Sequence, residues 1–407
     1  MTPSYAETTS GRDARRSAAL VAAACVLQVA ESLIPHPVPG VRLGLANIVT
    51  LIALAEMGFR AALEVALLRT VVASLVLGSF LSPGFLLSFF SAAASTTVMW
   101  ALWRLSSRFP GWGFSITGVS VAGAVAHNAS QLYLAYLLLV RHKSVFYFAP
   151  WLAISGVVTG WLTALVAAEA LRRLRGSFSA SVPGPGPRAQ VPASPAFRSV
   201  PAELKLAAAC AVLLTAVFAS DLRVFAPLAL GLLAFMAFTR LPAADYVRVL
   251  GKMRGLAWLA AVSFFFPLLF TRGYGAGVLF SAGPLTVTAA GLASGSVFAA
   301  RVLIMGWTGF LLNVYASPSE IAAAIGRLGR PFGRFGFPAE RVGAVIGLAW
   351  GELPGFSARA KAAVAAAVAG GGWRGGPLRW SVGLAAGVIA GMCAPRGAVA
   401  DTEAAAA

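Results

Sequence analysis

Charge is what this sequence has least of. Only 11% of its 407 residues are Asp, Glu, Lys or Arg, and 58% are hydrophobic, whereas a soluble globular domain carries about 25% charged residues. That deficit excludes an ordinary water-soluble body, and so high an apolar content excludes a disordered chain. Acidic residues are scarcer still, 14 against 32 basic, which leaves a formal net charge of +18. A pI near 11.2 would suit a nucleic-acid binder. Such a binder needs a soluble body, however, and in a membrane protein the same excess arises from Lys- and Arg-rich cytoplasmic loops. No nucleic-acid partner is therefore expected; the lipid bilayer is.

Cysteine and histidine are nearly missing. Cys25, Cys210 and Cys393 stand alone in apolar runs, without a CxxC or metal-ligand spacing, and read as helix-packing residues. His36, His127 and His142 are scattered, so no metal site is expected. HExxH, GxSxG, DDxxD and the phosphate loop GxxxxGK[ST] are all lacking; Gly251-Lys252 is followed by Met253. No catalytic residue is assigned and no cofactor is expected on this chain. A step driven by ATP would need another subunit to hydrolyse it.

What is present is apolar length. A bilayer-spanning helix needs about 20 mostly apolar residues, and six candidates fill residues 1–175, near 17–34, 43–58, 60–81, 84–104, 114–140 and 147–171. The first 16 residues are polar, and the run behind them outlasts a signal-peptide core, so a span rather than a cleavable leader is expected. Arg12, Arg15 and Arg16 put the amino terminus on the cytoplasmic side, and Arg60, Arg104, Arg108, Arg172, Arg173 and Arg175 fall on that side too. Arg141, His142 and Lys143 fall on the opposite side. They either serve a function at the outer mouth or betray a misplaced span.

Residues 176–200 read GSFSASVPGPGPRAQVPASPAFRSV. Five prolines forbid a regular helix there, and Gly and Ser add flexibility, which predicts an interdomain linker. Residues 201–407 have a different rhythm. Apolar runs near 205–219, 222–239, 255–271, 284–313 and 381–394 are interrupted between Pro318 and Arg379 by a stretch with eight basic and three acidic residues. It contains three helical segments, SEIAAAIGRLG, PAERVGAVIGLAWGELP and FSARAKAAVAAAV, with Ser317 or Ser319 as a cap for the first. These, and Ala243 to Arg254, are expected to lie as amphipathic helices on the cytoplasmic surface.

Polar residues inside spans are costly in lipid and are functional candidates by default. In GAVAHNASQLYLAYLLL, His127 and Gln131 share a helix face and Asn128 lies three before Gln131. This patch offers donors and acceptors to a ligand cavity; interhelical hydrogen bonding is the alternative use. Asn47 opens the second span, Glu31 ends the first, and Glu64 and Arg69 lie five apart in the third, on different faces. Ligand or gating roles and pairing across helices both remain open for these four. Ala18 with Ala22, and Ala19 with Ala23, give a small-residue surface that another helix can approach closely. In Ser357-Ala358-Arg359-Ala360-Lys361, small neighbours leave the Arg359 guanidinium free to enter an acidic groove of a partner or to face lipid phosphate.

On PHPVPGVRLGLANIVTLIAL, LLRTVVASLVLGSFLSPGFLLS and GAVAHNASQLYLAY, over about 31–140, the first half resembles the substrate-binding S components of energy-coupling-factor transporters. It is closest to the Gx transporter branch, also described as heptaprenyl diphosphate synthase component I. On DLRVFAPLALGLLAF, the basic region 318–366 and Ala358-Arg359-Ala360, the second half resembles the T component, of the cobalt-transport-protein type. The resemblance implies a six-helix S-type bundle that captures a small molecule from outside. It implies that Ala18, Ala19, Ala22 and Ala23 dock the first helix on the T-like half. It also implies that Arg359, in a triplet where Ala360 replaces the usual glycine, engages ABC-type ATPase subunits, with Arg327 the nearest candidate for a second contact.

The expectation is thus an all-α, polytopic protein of the cell (inner) membrane with a cytoplasmic amino terminus. Residues 1–175 form the S-like domain, 176–200 the linker and 201–407 the T-like coupling domain. It would be a non-enzymatic importer subunit that binds its cargo through His127, Asn128, Gln131 and Asn47, with ATP hydrolysed by partner subunits. The alternative is an accessory membrane subunit of polyprenyl (heptaprenyl) diphosphate synthesis; prenyl elongation itself needs acidic clusters holding metal ions, which the first half lacks. An ion-coupled secondary transporter would need symmetry between the halves, and the basic helical region belongs to the second half alone.

Overall fold

A computed structural model of the chain describes residues 9–33, 44–109, 113–174, 200–239, 243–271, 277–282, 285–335, 338–369 and 377–393. All but the last residue of the expected linker, as well as His36 and Arg374, lie outside the described residues. In the first half, helices α1 (Thr9–Leu33), α2 (Leu45–Met57), α3 (Phe59–Leu77), α4 (Pro83–Arg108), α5 (Ile116–Ala135) and α6 (Ala149–Leu174) follow the six expected runs. Local chemistry sets the starts. The Ser82 hydroxyl accepts from the Phe85 N–H with Pro83 in the first turn of α4, and Ser115 caps α5 in the same way at Gly118. A π turn (Tyr136–Val140) and a 3-10 helix (Lys143–Phe148) join α5 to α6.

Helices α5 and α6 approach each other closely. A Cβ built on Gly160 would meet the Val121 Cα at 2.6 Å, and one on Gly156 the Val125 Cα at 3.1 Å. The pair sits one turn apart in GVVTG, a GxxxG spacing, which lets the backbones touch. The Ser120 hydroxyl uses that proximity to donate to the Gly160 carbonyl at 2.8 Å.

The second half contains α7 (Ala202–Phe218), α8 (Leu222–Phe238), α9 (Ala243–Phe270), a hairpin of β1 (Val278–Ala282) and β2 (Leu285–Thr288), α10 (Ala289–Tyr315), α11 (Pro318–Gly329), α12 (Ala339–Ala369) and α13 (Pro377–Cys393). Three expectations change. The segment Ala243 to Arg254 is no separate surface helix, because it runs unbroken into the apolar run behind it as α9. The run 284–313 is split: Leu285–Thr288, with β-branched Thr286, Val287 and Thr288, pairs with β1, and the Thr288 hydroxyl then caps α10 by accepting from Gly291. Finally, the second and third basic segments are one helix, α12, with Pro354 inside it. An internal proline costs a helix about 3 kcal/mol. Here Val345, Ile346, Ala349 and Phe356, all buried on either side of it, offset that cost by packing. Helix α11 begins where a cap was expected, with Ser317 and Glu320 forming a reciprocal capping box.

Among the described residues, α4, the stretch Lys143–Leu174 and α10 are long and apolar enough to cross a bilayer by length and composition. Helix α2, at 13 residues, is about 20 Å long against a hydrocarbon core of about 30 Å, so it falls short of the span expected at 43–58. Large apolar side chains such as Trp151, Ile154, Phe218, Phe238 and Trp258 point outward, as lipid-facing surface requires. The chain is a helical membrane protein with, among the described residues, one small hairpin.

The two halves share a continuous apolar core. Helix α12 packs on α1 and α3, α13 on α6 and α1, and α10 on α4 and the π turn. Arg301 of α10 is fully buried and donates to the carbonyls of Ala216 (3.0 Å), Ala219 (2.7 Å) and Leu139 (3.3 Å), with its guanidinium 5.3 Å from the Phe298 ring centre. Arg141, in a left-handed turn, donates to Val217 at 2.8 Å and Leu137 at 3.2 Å. Two cations thus meet the negative carbonyl end of α7 and the end of α5. Arg141, which breaks the charge rule of the other loops, binds the two halves together.

Overpacking an interior costs about 1–3 kcal/mol, so Gly160→Val should lower the melting temperature of the detergent-purified protein. Gly231→Ala, in the exposed interior of α8 with nothing within 4 Å of an added Cβ, should hold or raise it. Equal melting of the two variants would contradict the close α5–α6 contact.

Candidate substrate site and coupling surface

A cavity of about 680 Å³ opens among all six helices of the first half, a size typical for small-molecule sites. Its walls include Gln28, Glu31 and Ser32 of α1, Asn47 of α2, Arg69, Thr70, Ser74 and Leu77 of α3, Gly84, Phe85, Leu87 and Ser88 of α4, His127, Asn128 and Gln131 of α5, and Thr159 and Thr163 of α6. Leu259, from α9 of the second half, also lines it. The four residues named from sequence, His127, Asn128, Gln131 and Asn47, all line this one space.

The polar wall is held by charges that are themselves compensated. Arg69 is 6% exposed and donates to the Gln28 amide oxygen at 3.1 Å and to the Asn47 amide oxygen at 2.6 Å, tying α1, α2 and α3 together. Glu31, equally buried, accepts from the N–H groups of Gly44 (2.9 Å) and Leu45 (3.2 Å), the positive start of α2. Gly44 is left-handed, with φ of 77°, a conformation that glycine adopts without strain. A side chain there would also approach the Thr163 hydroxyl to 3.4 Å. Asn128 donates to the Leu152 carbonyl at 2.8 Å and the Ser155 hydroxyl at 3.2 Å, so it joins α5 to α6 while lining the cavity. Asn47 and Asn128 therefore hold helices together as well as facing the space.

Sequence reasoning missed the hydroxyls and Gln28. A signal was there: Gln28 and Glu31 are three apart, and Thr70 with Ser74, like Thr159 with Thr163, are four apart, one helix face each. It is a weak signal, because such hydroxyls usually bond back to their own helix. Thr70 donates to the Leu67 carbonyl, Ser74 to Val71 and Thr159 to Ser155.

On the second half, the Arg359 guanidinium lies over the Phe356 ring, 4.0 Å from its centre. Phe356 is buried, so α12 presents the cation on a fixed aromatic seat. Arg327 is engaged differently, in an ion pair with Glu203 of α7, which turns it toward its own half. Ala18, Ala22 and Ala23 are buried and Ala19 is half-buried, on a helix that packs against α2, α3 and α12. Glu64, which sequence left without a partner, makes a forked ion pair with Arg341 of α12, both Nε and Nη2 lying 2.9 Å from carboxylate oxygens.

Residues 20–170 match the family described as Heptaprenyl diphosphate synthase component I, and residues 194–354 match the Cobalt transport protein family. No curated protein matches the chain. The amino-terminal half thus resembles the Gx-type component, and the carboxy-terminal half a transporter T component.

Removing a buried hydrogen-bond partner costs about 1–3 kcal/mol, so Arg69→Ala and Asn128→Ala should both melt below the parent protein. Gln131→Ala should melt close to it. A thermal scan in which all three fall equally would count against the division into framework and lining residues.

Proposed function

We propose that this chain, a membrane component of an energy-coupling-factor-type transporter, unites cargo capture and energy coupling in one polypeptide. A small molecule enters the cavity of the first half and meets His127, Gln131, Asn128 and Asn47 together with the surrounding hydroxyls. ABC-type ATPase subunits dock on α12 at Arg359 and hydrolyse the ATP; the chain itself does no chemistry. Import proceeds from outside inward across the cell membrane, with the amino terminus and the Arg359 end of α12 in the cytoplasm. The observation that carries this reading is the cavity, which is formed by the Gx-type half yet borders Leu259 of the T-type half. Fusing the halves keeps their effective concentration high.

The alignment of polar groups suits a compact molecule with several donors and acceptors. Each buried polar group left unpaired costs binding energy, so such a wall discriminates against apolar cargo. Arg359 suits docking because its guanidinium can make two parallel bonds to a carboxylate of the partner groove.

Vesicles holding the chain and a cognate ATPase pair should take up cargo only with ATP; equal uptake without the ATPases would sink the coupling. Mass spectrometry of small molecules retained by the purified chain would name the cargo. Arg359→Glu should abolish co-purification of the ATPases, and unchanged co-purification would remove Arg359 from the docking surface.

A second reading follows from the description of the family matched by residues 20–170, an accessory membrane subunit of polyprenyl diphosphate synthesis. Deleting the chain would then alter cellular prenyl chain production and leave solute uptake intact.

A further inference from the structure

We infer that the forked pair of Glu64 and Arg341, with Ser17 beside it, is the contact through which α12 moves the cargo-holding half. The inference rests on the coupling role proposed above for α12. Arg341 is on the first turn of α12, and Arg359 follows 18 residues later on the same helix, about 27 Å away at 1.5 Å per residue. Glu64 is on α3, where Arg69 follows five residues later and lines the cavity. One continuous helix thus runs from the ATPase-docking end to the fork. A second runs from the fork to the guanidinium that holds Gln28 and Asn47 at the cavity wall.

The fork is built to carry force in a fixed direction. Both Glu64 oxygens are used, Oε1 by the Arg341 Nε and Oε2 by its Nη2, each at 2.9 Å. This parallel arrangement resists rotation where a single bond would swivel. The hydroxyl of Ser17, a fully buried residue of α1, donates to Glu64 Oε2 at 2.7 Å, and the Arg341 Nη2 lies 3.5 Å from the same hydroxyl. The Glu64 side chain is 13% exposed and that of Arg341 29%, so the contact is partly shielded from water. Glu64 and Arg341 are positioning residues, since neither faces the cavity.

Docking is read first, without transport. A protease site is placed within 176–200 of the full chain, the chain is cut in detergent, and the carboxy-terminal half retained by a tag on the amino-terminal half is measured. Like charges facing each other across this partly buried contact repel, so Glu64→Arg should lower retention by about tenfold or more. Glu64→Arg with Arg341→Glu should recover it. Parental retention in Glu64→Arg, or no recovery in the exchanged pair, overturns the fork. Ser17→Ala, a mild change, should weaken retention less than Glu64→Arg; a greater loss would overturn the arrangement in which Ser17 only supports.

Coupling is read next, with the ATPase pair in vesicles. Glu64→Gln and Arg341→Gln should leave the ATPases bound and hydrolysing while uptake per ATP falls by about tenfold, the loss expected when one partner of such a pair is removed. The exchanged pair should restore the ratio, which a loss of fold would not allow. Parental uptake per ATP in the Gln variants overturns the inference. A parent chain that docks by this fork yet shows no ATP-driven uptake overturns instead the transporter reading, and with it the coupling role of the fork.

Discussion

Every ionisable group inside a lipid-embedded bundle has to be compensated by a partner of the same protein, because no water is available to do it. Most of the specific geometry of this chain traces to that requirement. Glu31 is compensated by the first N–H groups of α2, Arg69 by two amide oxygens, Arg301 by three backbone carbonyls, and Glu64 by Arg341 and Ser17. Each solution pins elements that apolar packing alone would leave free to rotate or slide.

Two of these solutions build the cavity. Glu31 and Arg69 fix the starts and faces of α1, α2 and α3, so that Gln28 and Asn47 stand on one wall. The GVVTG stripe draws α6 onto α5 and sets Asn128 against Leu152, while His127 and Gln131 also line the space. The other two join the halves. Arg301 and Arg141 clasp the end of α7 to the end of α5, and Arg341 forks onto α3. The same rule thus yields both a binding chamber and the hinges against which it would move, which is economical for a protein with so few charges.

The expected helices were legible because a span demands a long apolar run, and most runs in this sequence match the helices within a few residues, α1 and α9 beginning well before theirs. The four lining residues were legible because a polar side chain in such a run is conspicuous. Pro354 misled the reading of 339–369, since its effect depends on what Phe356 and Ala349 bury on either side. The β-branched residues at 286–288 were hidden in an apolar run that suits a helix or a strand equally well. The hydroxyls at 70, 74 and 159 were hidden because helix hydroxyls most often bond back to their own backbone, as these three do.

Composition and run length alone determined that this chain lives in a membrane, that it is helical, that its halves differ, and where conspicuous polar groups interrupt the apolar runs. Those are properties of single segments meeting lipid. Which groups face one another was decided only in three dimensions. That His127 and Asn47 share a chamber, that Arg141 serves the second half, that Arg327 turns to Glu203 and that Glu64 meets Arg341 are facts about helix rotation and register. Rotation is set by the sum of many small packing contacts from helices distant in sequence, and no single segment carries that sum.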